Sequence, residues 1–333
     1  MARFVSALVV LPVIALAAAG CGGGTQATSG GPRLASLSIS CSTPRAASSS
    51  ANLLWLGGTR SLIYYVHGGK VISSAGRSRA LPAFARAAGF RACSKPVLLY
   101  TFGSELRATA LEGRHKTLTL GRNAVVAPGG QLVSYAGTRV SYAGGFSFAA
   151  RGLPLKWRIA SVVVSPRDSH LLLAAAQSPE AGIETCGKGL GGIYRVTPSG
   201  SKTVLVDNPC HDHPQAAFNP SGSTISYVAG SSGDLYVLAS SGRAHPRALT
   251  SNAGVRGYLW SPDGTRIAYM TKEGDCAVVT VASGQTRNLG RGQPLAWSPD
   301  GREIALAAPG RPAVEAVSAA GGASRVLLRL RRS

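Results

Sequence analysis

With 333 residues, 42 Gly, 19 Pro and apolar runs of only four to eight residues between turn signals, the chain excludes a helical bundle and reads as an all-β protein of many short strands. The length exceeds an ordinary single domain and suits one large repetitive fold. A balance of 35 basic against 14 acidic side chains gives +21 at pH 7, which favours anionic membrane lipids or acidic wall polymers as surroundings.

The first twenty residues stand apart from any fold. Arg3 supplies a positive start, Phe4 to Ala19 is an apolar run of 16 residues, and Ala18-Ala19-Gly20-Cys21 follows, the pattern of a secretory signal. The run is shorter than the roughly 20 apolar residues that span a bilayer. The small-small-Cys ending resembles the lipobox of bacterial lipoproteins, with Ala18 where Leu is usual. That resemblance implies that Cys21 carries the lipid and becomes residue one, so that loss of Arg3 leaves +20. Residues 21–33 are a Gly/Ser/Thr tether with a reach of roughly 20 Å. The remainder, 34–333, is expected as one domain on the outer face of the bacterial cytoplasmic membrane.

Along that domain one layout recurs: an extended run, a tight turn, a second extended run. Leu54-Trp-Leu-Gly-Gly-Thr59 before Leu62-Ile-Tyr-Tyr65 has it without a proline, and Ala92-Cys-Ser-Lys-Pro96 before Val97-Leu-Leu-Tyr100 has its outline. Between them Leu81 to Gly89 is the best helical candidate, barely two turns, or else a loop. Val126-Ala-Pro-Gly-Gly130 leads into Leu132-Val-Ser-Tyr135, Val164-Ser-Pro-Arg-Asp168 into Leu171-Leu-Leu173, and Phe218-Asn-Pro-Ser-Gly222 into Ile225-Ser-Tyr-Val228. The clearest copies are Trp260-Ser-Pro-Asp-Gly-Thr-Arg-Ile-Ala-Tyr-Met270 and Trp297-Ser-Pro-Asp-Gly-Arg-Glu-Ile-Ala-Leu-Ala307, their prolines 37 residues apart. Pro presets φ for a turn and Gly takes the left-handed position that closes a bulged hairpin.

After each clear hairpin come two more short extended runs, four in under 40 residues. Such a unit buries its faces only by stacking radially with its neighbours. The expected fold is therefore an all-β β-propeller of seven four-stranded blades, or six if 81–122 is an irregular connection. The longer interval from 166 to 220 is read as an insertion that holds Cys186.

The phrase Trp/Phe-Ser/Asn-Pro-Asp/Ser-Gly-x-x-Ile-Ala/Ser-Tyr resembles the repeat of TolB-type propellers, also found in prolyl-oligopeptidase-like peptidases and in actinobacterial LpqB-like lipoproteins. It covers 220–310 well and 50–215 weakly. It lacks the Gly-His and Trp-Asp marks of true WD40 units, and its Gly directly after Asp departs from a sialidase Asp-box. The resemblance implies a binding propeller at the cell envelope, and such a phrase specifies fold far more than function.

Catalytic chemistry is sparse. No Gly-x-Ser-x-Gly elbow is present, so a serine hydrolase is not expected, and no EF-hand or P-loop occurs. Cys210-His211-Asp212-His213-Pro214 is a weighed metal candidate, since alternate histidines on an extended chain face one way. No third ligand follows by spacing, and the favoured reading is a polar loop pinned by a Cys186–Cys210 disulfide, with Cys41–Cys93 as a second pair. Cys276 lies in an apolar run and is read as a buried thiol.

Arg outnumbers Lys 28 to 7, and Arg91, Arg122, Arg158, Arg256 and Arg291 each precede a turn by a similar interval. If each stands where an innermost strand begins, they form a cationic rim around one channel mouth. The function expected is a non-catalytic, monomeric lipoprotein that binds a cell-envelope protein or anionic ligand there, with no cofactor and no nucleic acid. The alternative is a propeller enzyme or cofactor binder of the quinoprotein dehydrogenase or lactonase kind.

Overall fold

The computed structural model describes residues 47–330 apart from 51, 58–61, 93–95, 114–116, 129, 144, 152, 154–156, 169–171, 178–190, 198, 201, 208–215, 230–231 and 242–244. Every regular element among the described residues is a β-strand, and the strands form seven separate sheets in chain order. Six are four-stranded and antiparallel; the first has five strands. These are the seven blades of a β-propeller. They span residues 47–80, 86–122, 124–149, 158–207, 216–248, 257–291 and 293–329.

Blade 6 is the pattern for the rest. Gly257–Trp260 pairs with Arg266–Met270, then Asp275–Thr280, then Thr286–Arg291, each neighbour antiparallel. In its first three strands the middle residues are buried, because the sheet is covered on both faces by adjacent blades. Only the outermost strand, Thr286–Arg291, is exposed along most of its length.

The core is a ring of seven joints. Each hydrophobic cluster takes residues from two consecutive blades: Leu54 and Tyr64 meet Phe90 and Leu98, and Leu259 and Val278 meet Trp297 and Ile304. The seventh cluster joins Leu53, Trp55 and Ile63 of blade 1 to Leu295, Ala305 and Val314 of blade 7. The ring therefore closes by side-chain packing, with blades 1 and 7 each built from one continuous stretch of chain. Burial of apolar area at about 25 cal/mol per Å² makes these joints the main source of stability.

Three expectations are corrected. Residues 81–122 are no irregular connection, because Arg86–Arg91, Val97–Phe102, Glu105–Ala110 and Thr117–Arg122 make a complete blade. Within it, the helical candidate is a turn followed by a strand that is bulged between Ala87 and Gly89. Ala87 and Phe90 are buried in the joint with blade 1, and that tertiary burial outweighs the helix preference of an Ala-rich run. Blade 1 also has one strand more than expected. Ala47–Ser49 adds to the inner edge of Leu53–Leu56 and lies against Gln293–Trp297 of blade 7.

Candidate functional site

Up-and-down connectivity gives the ring two faces. On the hairpin face lie the turns between the first and second strands of each blade. On the crossover face, each outermost strand hands the chain to the innermost strand of the next blade.

The hairpin face is built by the repeated phrase. Ser261 Oγ donates to Asp263 Oδ1 at 2.5 Å and accepts from the Arg266 amide at 2.9 Å, while Asp263 Oδ1 accepts from the Thr265 amide at 3.0 Å. Ser298, Asp300, Arg302 and Glu303 repeat the arrangement. Gly264 sits at φ +70, and a Cβ there would lie 3.2 Å from Asn219 Nδ2 of the preceding turn. Gly222 at φ +70 is tighter still: a Cβ would come within 2.6 Å of Arg167 Cβ. The chain repeats itself because each turn seats on the turn before it, so each must be left-handed and bare at the same place.

The five arginines divide between the two faces. Arg158 begins Arg158–Val164, and Arg256 stands immediately before Gly257–Trp260. Arg122 and Arg291 end the outermost strands Thr117–Arg122 and Thr286–Arg291, two residues before the innermost strands that begin at Ala124 and Gln293. All four are exposed on the crossover face. Arg91 is different: it ends Arg86–Arg91 on the hairpin face, where its Nη1 donates to the Ala127 carbonyl at 3.1 Å. The residue that begins that innermost strand is Arg86, also exposed. With Arg86 in place of Arg91, arginines flank the start of the innermost strand in blades 2, 3, 4, 6 and 7.

Three carboxylates on the crossover face are already engaged. Arg107 Nη2 is 2.8 Å from Glu105 Oε2, Lys272 Nζ is 3.8 Å from Glu273 Oε1, and Asp234 is buried, accepting from Thr250 Oγ1 and the Ala253 amide. The hydroxyl of Ser232 and those two donors outweigh burial and hold Asp234 below the ordinary carboxylate range.

Other arginines are clasps between blades. Arg79 Nη1 donates to Thr109 Oγ1 at 2.9 Å and Arg195 Nε to the Ser240 carbonyl at 2.6 Å. Arg287 Nη1 reaches the Ala320 carbonyl at 2.7 Å, and Arg247 bonds the Val281 carbonyl. Arg266 donates to the Gly301 carbonyl at 2.9 Å while its guanidinium lies 5.1 Å from the Trp297 ring centroid. Much of the arginine excess thus caps backbone carbonyls across blade joints, where a five-donor fork reaches further than any shorter polar side chain.

A cavity of about 400 Å³ opens between the outer strands of blades 6 and 7. Its floor includes Leu289, Leu306 and Val317, and Arg291, Arg311, Glu315 and Ser324 supply its polar wall. Glu315 is 9% exposed, accepting from Arg311 Nη1 at 2.9 and 3.1 Å and from Ser324 Oγ at 2.8 Å. Those two donors, Arg311 first, keep its carboxyl below the usual range. The third residue of the third strand is Ile72, Arg107, Ser141, Ile193, Tyr236 or Ala277 in the other blades, so a carboxylate at this position is particular to blade 7.

Cys276 is fully buried as a free thiol, and burial pushes its pKa up to about 12. It is a core residue of the joint between blades 6 and 7. Cys21, Cys41, Cys93, Cys186, Cys210, His211, Asp212 and His213 lie outside the described residues.

No protein-family model and no curated protein sequence matches the chain. Among solved structures, an oligogalacturonate lyase in complex with manganese is 15% identical, covers 71% of this chain and 74% of its own, and has a TM-score of 0.53. The oligogalacturonate lyase of Vibrio parahaemolyticus covers 84% of this chain and 85% of its own at 10% identity and a TM-score of 0.51. TolB from Acinetobacter baumannii covers 80% and 75% at 14% identity, with a TM-score of 0.43. At such identities the lyases establish fold alone. The class defined is a seven-bladed β-propeller.

Proposed function

We propose that this protein is a non-catalytic lipoprotein of the TolB-type propeller kind, tethered through Cys21 to the outer face of the cytoplasmic membrane. Its crossover face binds an acidic protein partner or another anionic ligand. The observation that supports this reading is the set of exposed arginines on one face, Arg86, Arg122, Arg158, Arg256 and Arg291, at five of seven innermost-strand starts. Guanidinium forks pair with carboxylate or phosphate bidentately, and radial symmetry puts them around a common axis.

The test compares Arg122→Ala/Arg158→Ala with Arg77→Ala/Arg302→Ala, a charge-matched pair exposed on the hairpin face. Binding of polyglutamate and of oligogalacturonate at moderate salt is the readout. The crossover pair is expected to weaken binding roughly tenfold and the hairpin pair hardly at all. Equal weakening reduces the mechanism to net charge. Cleavage of oligogalacturonate, with or without manganese, replaces the binding reading with the enzymatic one. Lipidation is tested apart, by the mass of the N-terminal peptide and by loss of membrane association in Cys21→Ser.

A further inference from the structure

Phe84 is the most exposed large apolar side chain among the described residues, with 93% of its surface in solvent. It lies in the loop from Ser78–Ala80, the outermost strand of blade 1, to Arg86–Arg91, the innermost strand of blade 2, and so on the crossover face. The Ala85 amide donates to the Pro82 carbonyl at 3.0 Å, closing a four-residue turn with Phe84 in its third position at φ +64. That is the pattern of a type II turn, whose third position belongs to Gly or Asn. A side chain held left-handed normally has packing to hold it there. Here the turn presents the ring to solvent instead.

Strand register extends the feature across blade 2. Arg86 pairs with Thr101, Phe102 with Glu105, and Glu105 with Arg122. The crossover edge therefore carries, side by side, Phe84, Arg86, Phe102 and Arg122. Phe102 is 37% exposed beneath the guanidinium of Arg107, 4.5 Å from its centroid, and Arg107 also neutralises Glu105. What remains is two aromatic rings and two exposed guanidinium groups.

We infer that this edge seats the propeller on an anionic lipid leaflet, Phe84 entering the interfacial zone while Arg86 and Arg122 pair with headgroup phosphates. Aromatic rings favour that zone, and basic side chains are drawn to anionic headgroups. An anionic leaflet is the occupant that the charge favours, since the chain carries 35 basic against 14 acidic side chains and the exposed Arg86 and Arg122 share this edge with the ring. A fluid bilayer moulds itself around a lone protruding ring. The inference uses one blade of the proposed binding face but does not rest on that face binding a partner.

The experiment places Phe84→Trp in the full-length protein on vesicles with brominated acyl chains, either phosphatidylcholine alone or mixed with phosphatidylglycerol. The native Trp55, Trp157, Trp260 and Trp297 are all buried, so they contribute little quenching. Phe146→Trp, half exposed on the hairpin face, is the control. Strong quenching of the Phe84→Trp variant on anionic vesicles is expected, reduced severalfold on neutral vesicles, by salt, or by added Arg86→Ala/Arg122→Ala, with the control unquenched. An unquenched Phe84→Trp variant, quenching equal to the control, or indifference to lipid charge overturns the inference. So does an indole that is shielded only when envelope proteins are added, which assigns the edge to a protein. The mass of the N-terminal peptide reports the anchor independently, so a missing lipid is not mistaken for a failed edge.

Discussion

The indole nitrogen of Trp297 donates to the Leu259 carbonyl at 3.1 Å, tying the innermost strand of blade 7 to that of blade 6. One joint earlier, Trp260 ties the innermost strand of blade 6 to the second strand of blade 5 through the Ser226 hydroxyl at 2.7 Å. Both rings are buried, so the Trp that opens each clear repeat phrase is a bolt through a blade joint. Trp297→Phe keeps most of the apolar contact but removes a hydrogen bond across the joint, and is expected to cost about 0.5–1.5 kcal/mol. Trp297→Ala is expected to cost about 3–5 kcal/mol. Urea denaturation followed by circular dichroism measures both. Equal losses for the two variants would mean that the hydrogen bond, and not the packing, carries the joint.

The hairpin phrase made the fold legible because it encodes two things at once, a local turn and a seat for the next turn. Blade 2 lacked it. With no Pro-Asp-Gly to set the phase and a bulge between Ala87 and Gly89, the Ala-rich run reads as a short helix or a loop, and the start of the innermost strand at Arg86 has no local signal. Ala47–Ser49 carries no apolar pattern, so its pairing on the inner edge had no sequence signal. The arginine clasps were hidden for a different reason: each depends on which carbonyl of the neighbouring blade faces it. Burial of Cys276 could be read, since it sits in a continuous apolar run.

The clasps predict that arginines separate by role. Arg287→Ala removes a hydrogen bond between blades 6 and 7 and is expected to cost about 0.5–1.5 kcal/mol, with little effect on anion binding. Arg122→Ala and Arg158→Ala are expected to leave stability within about 0.5 kcal/mol and to weaken binding. Thermal melts and polyglutamate binding on the same samples test the separation. Two variants that behave alike in both assays would erase it.

Acid should act on the hairpin turns. The Ser298 hydroxyl and then the Arg302 amide hold Asp300 below the ordinary carboxylate range. A carboxyl with a depressed folded pKa contributes its full stabilisation above its unfolded value of about 3.9 and loses it as pH falls through the folded value. The denaturation midpoint is therefore expected to hold from pH 7 to about 5 and drop below about 4. Asp300→Asn should flatten part of that drop. An unchanged pH profile in the variant would show that this turn does not contribute to it.

The Cys276 thiol, fully buried and with its pKa pushed up to about 12, should resist maleimide at pH 7.5 in the native protein and react in denaturant. Peptide mapping reads this residue apart from the other cysteines. Cys276→Ser puts a hydroxyl among Leu259, Ala268 and Val278, at an expected cost of about 1–3 kcal/mol. Rapid native labelling would mean that the joint between blades 6 and 7 opens readily.

The same joint holds the buried charge of blade 7. Arg311 Nη1 donates to both oxygens of Glu315, and Ser324 donates to one, so the carboxylate is satisfied only while Arg311 stays. Glu315→Gln keeps an acceptor for both donors and is expected to cost about 1 kcal/mol. Arg311→Met leaves a nearly enclosed carboxylate with one donor and is expected to cost more, about 1–3 kcal/mol. The two effects should not add. In the double variant no charge is left behind, so Glu315→Gln should restore part of the stability lost in Arg311→Met. Its rescue should shrink in acid, because without Arg311 the carboxyl loses the partner that held its pKa down, takes up a proton more readily, and the penalty for the missing arginine fades. Denaturation of the four proteins at pH 7 and pH 3.5 completes the cycle. A double variant less stable than Arg311→Met would mean that Glu315 stabilises the blade through its own contacts and not through its pairing.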